Sequence, residues 1–182
     1  MAAPLFFIIQ TLFELYVLTF LLRLVLQWSR ADFHNPISQF IVQVTNPIVV
    51  PLRRVVPPWR GVDMATVLAI LGLELVGTAA LFWLRTGEVP GAGLLLYLTV
   101  LRTLVMVLRM YVFAVLIYAI LSFISPGTYN PVTSVLASIC EPVLRPVRRV
   151  IPPIAGIDLS PLFVIILLQA LLIAIPPVAK LY

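Results

Sequence analysis

The sequence predicts an all-α membrane protein: four transmembrane helices in two parallel two-helix repeats, each with a cytoplasmic interfacial amphipathic helix and a Pro/Arg-rich loop. Three observations carry this reading. Of 182 residues, 62% are apolar and only 10% charged, whereas globular domains run at roughly 45–50% apolar and about 25% charged. So much apolar surface has no place in a soluble core of this size and must face lipid. Four apolar stretches are long enough to cross roughly 30 Å of hydrocarbon at ~1.5 Å per residue. Finally, displacing the chain by 95 residues superposes one half on the other without a gap. A soluble enzyme, a disordered tail and a secreted disulfide scaffold are excluded.

Taken in order, the spans cover about 4–28, 64–84, 94–123 and 159–178, giving a first repeat over 1–86 and a second over 94–182. The N-terminal stretch lacks a cationic region and is interrupted by Glu14, so a retained helix is expected rather than a cleaved signal. The third span is over-long, which predicts tilt or outer turns lying among headgroups. Residues 85–93 form a short Gly-rich connector, whereas 29–62 and 124–157 are long, Pro-rich and basic. The long connectors hold Arg30, Arg53, Arg54, Arg60, Arg145, Arg148 and Arg149, against Arg85 and Lys180 on the opposite side. That asymmetry predicts cytoplasmic connectors and both termini outside. The net charge of +5 then orients the chain and meets anionic lipid headgroups. Nucleic acid is not expected, because aromatic stacking residues are nearly lacking there.

The repeat is densest in the connectors. Asn35-Pro36 falls on Asn130-Pro131, Pro47 on Pro142, Pro51 on Pro146, and Arg53-Arg54-Val55 on Arg148-Arg149-Val150. Pro57-Pro58 falls on Pro152-Pro153, and Gly61 and Asp63 fall on Gly156 and Asp158. Asn35 and Asn130 are placed to cap a helix that opens on proline. Ile37, Phe40, Ile41 and Val44, and in the second copy Val132, Val135, Leu136 and Ile139, form an apolar stripe suited to the interface. Pro47 and Pro142 are expected to end or bend these helices. Asp63 and Asp158 are expected to cap the spans that follow. Arg53, Arg54, Arg145, Arg148 and Arg149 are then the candidate contacts to lipid headgroups or to a partner protein.

The doubled pattern N-P…P…P-x-R-R-V-[VI]-P-P-x-x-G-[VI]-D, each copy set between two spans, resembles the YggT family of bacterial membrane proteins, whose chloroplast relatives are called YlmG. The resemblance covers nearly the whole chain, since the family unit is itself the two-span repeat. It implies a bacterial cytoplasmic (inner) membrane protein without known enzymatic activity. It also implies links to osmotic-stress tolerance and, in plastids, to nucleoid distribution and cytochrome maturation.

Charges within the spans are functional hypotheses by default. Glu14 lies about 21 Å along its helix from Trp28, and the shift maps it onto Arg109, so an intramembrane Glu14–Arg109 pair is expected. Glu74 maps onto Gln169 and has no evident cation at its level, which predicts a hydrogen bond to Gln169. Arg102 is expected to reach the outer interface and Arg23 to snorkel inward. Ala65, Ala69 and Gly72 offer one face for close helix contact, within the fold or in a homo-oligomer. Trp28, Trp59, Trp83, Lys180 and Tyr182 read as interfacial anchors. Nucleotide-loop, metalloprotease and nucleophile-elbow motifs are lacking, and the lone His34 and Cys140 have no orienting carboxylate. The expectation is a non-enzyme without cofactor or metal that organises or assists other membrane components. The alternative is an oligomeric K⁺- or H⁺-conducting or osmoprotective transport protein using Glu14, Glu74, Arg102 and Arg109.

Overall fold

The computed structural model describes residues 2–124, 130–151 and 158–176. Six helices follow in order: α1 (Ala2–Trp28), α2 (Pro36–Arg53), α3 (Met64–Thr86), α4 (Ala92–Ile124), α5 (Pro131–Val150) and α6 (Ser160–Ala174). Among the described residues there are no strands, only an isolated bridge between Trp59 and Val62. Three helices, α1, α3 and α4, are long and apolar enough to cross a membrane, whereas the apolar α6 has 15 residues. The expected anchors Lys180 and Tyr182, and the repeat members Pro152, Pro153 and Gly156, lie outside the described residues.

Large apolar side chains such as Phe7, Val76 and Phe113 are exposed on the long helices, where only lipid can accept them. Between lipid-facing helices no hydrophobic force operates, so close packing and buried polar contacts must hold them together. The buried core joins α1 to α4 and both to the amphipathic helices through Val17, Phe20, Leu26, Val105, Val115, Ile139 and Leu144. Helix α3 packs on α1 and α4, and α6 packs on α4 and α5. A strict twofold would also seat α6 on α1, and among the described residues those two helices do not touch.

The small-residue face of α3 differs from expectation. Ala65 and Ala69 are buried, but Gly72 is exposed with open space around it. The close approach occurs instead at Gly77, where any β-carbon would run into the Phe13 ring of α1. Gly77 continues the buried stripe Ala69, Ile70, Glu74 and Thr78, so the required face is rotated away from Gly72.

The amphipathic helices run longer than the sequence suggests. Pro47 and Pro51 lie inside α2, and Pro142 and Pro146 inside α5, so the prolines do not end these helices. Each removes one i→i−4 bond. In α2 both prolines and Gln43 occupy the exposed side, so the freed carbonyls open toward water or headgroups and the penalty stays small. The arginine pairs accordingly sit at the helix C-terminal ends, where cations complement the helix dipole. The bundle-facing side of α2 carries Ser38, Ile41, Thr45 and Val49, whereas Phe40 faces outward.

Both helix starts are capped by asparagine: Asn35 Oδ1 accepts from Ile37 N at 2.9 Å, and Asn130 Oδ1 accepts from Val132 N at 2.9 Å. Asn35 does more, since its Nδ2 donates to the Pro131 carbonyl at 2.8 Å and ties the two amphipathic helices together. A cap contributes about 1 kcal/mol, and a buried hydrogen bond adds about 1 kcal/mol more. Asn35→Ala is therefore expected to lower the melting temperature in detergent roughly twice as far as Asn130→Ala. Equal losses would show that the cross-tie contributes nothing.

Candidate functional site

Two groups of residues stand out: a charged cluster inside the helical bundle and a pair of basic elbows at the ends of α2 and α5.

The cluster centres on Arg102, which is 4% exposed. Its Nε lies 3.3 Å from Glu74 Oε2, and its Nη2 lies 3.7 Å from Glu14 Oε1. One guanidinium thus stands between carboxylates from α1 and α3, and Gln10 donates to Glu14 at 2.8 Å. The expected arrangement changes in three respects. Arg102 is buried rather than placed at an outer interface. Glu74 does have a cation at its level. Gln169 is exposed on α6, which does not touch α3, so the expected Glu74–Gln169 bond is not made. Glu14 and Arg109 do line one cavity, and Arg102 also comes within ion-pair distance of Glu14.

The reason is a slide of α4. Arg102 reaches Glu14 although the repeat would align Arg109 with it, so α4 is displaced along α1 from the place the shift predicts. Val107 and Tyr111 accordingly share a cavity wall with Leu21, Leu24 and Val25. The 33-residue length of α4 was the available signal, because a helix about two turns too long has room to slide. Leu98, Arg102 and Val105 also fall on one buried face at helical spacing.

A cavity of about 400 Å³ opens beside this cluster, between α1 and α4, with α5 at its far end. Its polar end holds Glu14, Glu74, Arg102 and Arg109. The remaining wall is apolar, formed by Leu18, Leu22, Met106, Met110, Phe113 and Ile139. Two buried polar atoms in the cluster, Glu74 Oε1 and Arg102 Nη1, have no hydrogen-bond partner.

The elbows are built on a second set of ion pairs. Arg53 Nη2 lies 2.5 Å from Asp63 Oδ2, and Arg148 Nε lies 2.8 Å from Asp158 Oδ2. Arg148 also reaches Glu141 at 2.9 Å. Asp63 stands at the N-cap position of α3 and takes the Thr66 hydroxyl at 2.6 Å. Asp158 accepts from Ser160 N at 2.9 Å and so satisfies the start of α6. A two-residue turn at Arg60 (φ 50°) and Gly61 (φ 83°) closes the first elbow, a conformation in which glycine is unstrained. Trp59 stacks under Arg60 at 4.9 Å.

Each arginine pair therefore divides its work: Arg53, although its side chain is 45% exposed, and Arg148 are held by carboxylates, while Arg54, Arg145 and Arg149 are exposed. Arg23 is buried and donates to Thr45 Oγ1 at 2.6 Å and Asn46 Oδ1 at 2.9 Å, locking α1 to α2. Its guanidinium does point toward the elbow, but it binds α2 there instead of reaching the headgroups.

Burial works to raise the Asp63 and Asp158 carboxyls. For Asp63 the Arg53 and Thr66 hydrogen bonds outweigh it, and for Asp158 those from Ser160 and Arg148, so both lie below the ordinary carboxylate value. Cys140 is fully buried and its thiol is pushed up to about 12 by that burial, which makes it a poor nucleophile. His34 is exposed and paired with Asp32 at 3.1 Å. With one side chain exposed and the other buried, no His34–Cys140 dyad forms.

Comparison with known proteins adds a family match. The CCB3/YggT family model matches residues 2–84 and 97–178. An uncharacterized protein of Pseudomonas aeruginosa is 42% identical over 164 residues, covering 90% of this chain and 83% of its own. The uncharacterized protein YggT of Escherichia coli K12 is 38% identical over 167 residues, 91% of this chain and 85% of its own. A Vibrio alginolyticus protein is 41% identical over 164 residues, 90% and 88% respectively. No solved structure matches the chain.

Two measurements test this geometry. Removing one partner of a buried ion pair costs about 3–5 kcal/mol, so Arg102→Met and Glu74→Leu should each destabilise strongly. Their combination should lose less than the sum, by about 1–3 kcal/mol. Additive losses would place the two side chains out of contact. The elbows should respond to acid. Because the folded carboxyls are depressed, their contribution is intact above the unfolded Asp value near ~3.9 and is lost as pH falls through the folded value. With Trp28 and Trp83 changed to Phe, Trp59 emission should shift only below about pH 4, and Asp63→Asn should abolish that transition.

Proposed function

This chain belongs to the CCB3/YggT family, and we propose that it is a non-enzymatic, multi-pass bacterial inner-membrane protein that organises or assists other membrane components. In this reading α1, α3, α4 and the stretch that contains α6 cross the bilayer as two repeats. The elbows lie on the cytoplasmic face and both ends lie outside. The observation that carries the proposal is the division within each arginine pair. One arginine fixes the elbow to the next helix through an aspartate, and the other is left exposed on that fixed frame. Ion pairs that hold the elbow add nothing to a headgroup or a partner. A rigid exposed guanidinium adds about 1 kcal/mol for each contact with an anionic surface.

A second reading, H⁺ or K⁺ transport, is favoured by the cavity that carries all four charges Glu14, Glu74, Arg102 and Arg109. Against it stands the position of Arg102 between both carboxylates, where it repels a passing cation.

The two readings separate in a deletion strain grown at high osmolarity, the condition to which the resemblance links the family. The triple change Arg54→Gln, Arg145→Gln and Arg149→Gln leaves Arg53 and Arg148 to hold the elbows. It should fail to restore growth while reaching normal amounts in the membrane, and Glu74→Gln should restore it. Full restoration by the triple variant, with loss in Glu74→Gln and K⁺ or H⁺ flux in liposomes, would replace organisation by transport.

A further inference from the structure

The cleft between α1 and α4 has the shape and chemistry of a site for a membrane amphiphile. It extends along α1 from Thr11 to Leu22 and along α4 from Arg102 to Ile117, about 16–22 Å at the helical rise. That is close to half the thickness of a ~30 Å hydrocarbon core, the reach of one leaflet's acyl chain. Its 400 Å³ falls within the range of small-molecule sites, about 300–1,000 Å³. Glu14, Glu74 and Arg102 meet at the end remote from the elbows, and the walls toward α5 are apolar.

The charges at the polar end define the ligand. Glu74 and Arg102 are 1% and 4% exposed, and each leaves one buried polar atom unpartnered at this end: an acceptor, Glu74 Oε1, and a donor, Arg102 Nη1. Unmade hydrogen bonds at buried charged groups are costly, so the site is built to receive a donor and an acceptor together. A lone phosphate would meet two carboxylates, and a lone cation would meet two guanidiniums. A group with both signs supplies the donor that Glu74 Oε1 lacks and the acceptor that Arg102 Nη1 lacks.

We propose that the cleft binds a zwitterionic aminophospholipid of the leaflet remote from the elbows. One acyl chain lies along Leu18, Leu22, Met106 and Phe113, the ammonium faces Glu14 and Glu74, and the phosphate faces Arg102. The second chain remains in the bilayer, because Leu15, on the rim of the cleft, is 53% exposed toward it. Glu14 lies about 21 Å along its helix from Trp28, so the headgroup is drawn some 9 Å below its own leaflet surface in a ~30 Å core. This proposal uses neither the exposed arginines nor a transported ion, and it stands or falls apart from the elbow function.

The test is native mass spectrometry of the full-length protein, delipidated and then challenged with equimolar phosphatidylethanolamine and phosphatidylglycerol. One phosphatidylethanolamine per chain should be retained in preference to phosphatidylglycerol. Leu15→Trp fills the cleft from its exposed rim without disturbing the core, and should lower retention about tenfold at an unchanged melting temperature. Glu14→Gln removes one of the two acids and should reduce the preference for phosphatidylethanolamine about tenfold. Equal retention of the two lipids by the wild-type chain, undiminished retention by Leu15→Trp, or no lipid retained would each overturn the proposal.

Discussion

The arrangement of the spans depends on one buried guanidinium. Inside hydrocarbon a lone Arg102 is expensive to hold, and the nearest relief is a carboxylate on a neighbouring helix. It finds two, Glu74 on α3 and Glu14 on α1, so a single side chain fixes the height of three helices relative to one another. Apolar packing alone would allow helices in lipid to slide, because one leucine face fits another nearly as well a turn away. The ion cluster removes that freedom. The Gly77–Phe13 approach then sets how closely α1 and α3 lie once their height is fixed.

The elbows follow a related logic at the ends of α2 and α5. Arg23 holds α2 against α1, the Asn35–Pro131 bond holds the start of α2 against that of α5, and the aspartates hold the far ends against the next helices. Each amphipathic helix is thus tied at both ends. With the internal contacts satisfied, the remaining arginines are exposed at positions the frame dictates. Continuous helix through Pro47 and Pro51 makes that frame stiffer than an extended Pro-rich linker, since successive residues stay in rigid register.

The cluster and the elbows meet through the cleft. Its polar end is the Arg102 cluster, and its apolar end is closed by Ile139 of α5, the helix that carries Arg145, Arg148 and Arg149. Any molecule filling the cleft would touch both the element that sets helix height and the element that displays the basic surface.

Much of the molecule was legible without coordinates. Apolar run length predicts the long helices because hydrocarbon thickness is fixed, and Asn-Pro predicts helix starts because a cap and a missing N–H fit the same place. The exposed arginines were legible as well, since nothing in an amphipathic helix end calls for them inside. Partner choice was not. Aligning the two copies points Glu14 at Arg109 and Glu74 at Gln169, and only tertiary packing shows that Arg102 comes to both acids. The same holds for Gly77 over Gly72 and for the prolines that leave their helices unbroken: each depends on which side of a helix meets a neighbour. Periodicity fixes the shape of each segment because local backbone physics does, whereas height, rotation and charge partner are settled between segments, where the sequence of any one of them is silent.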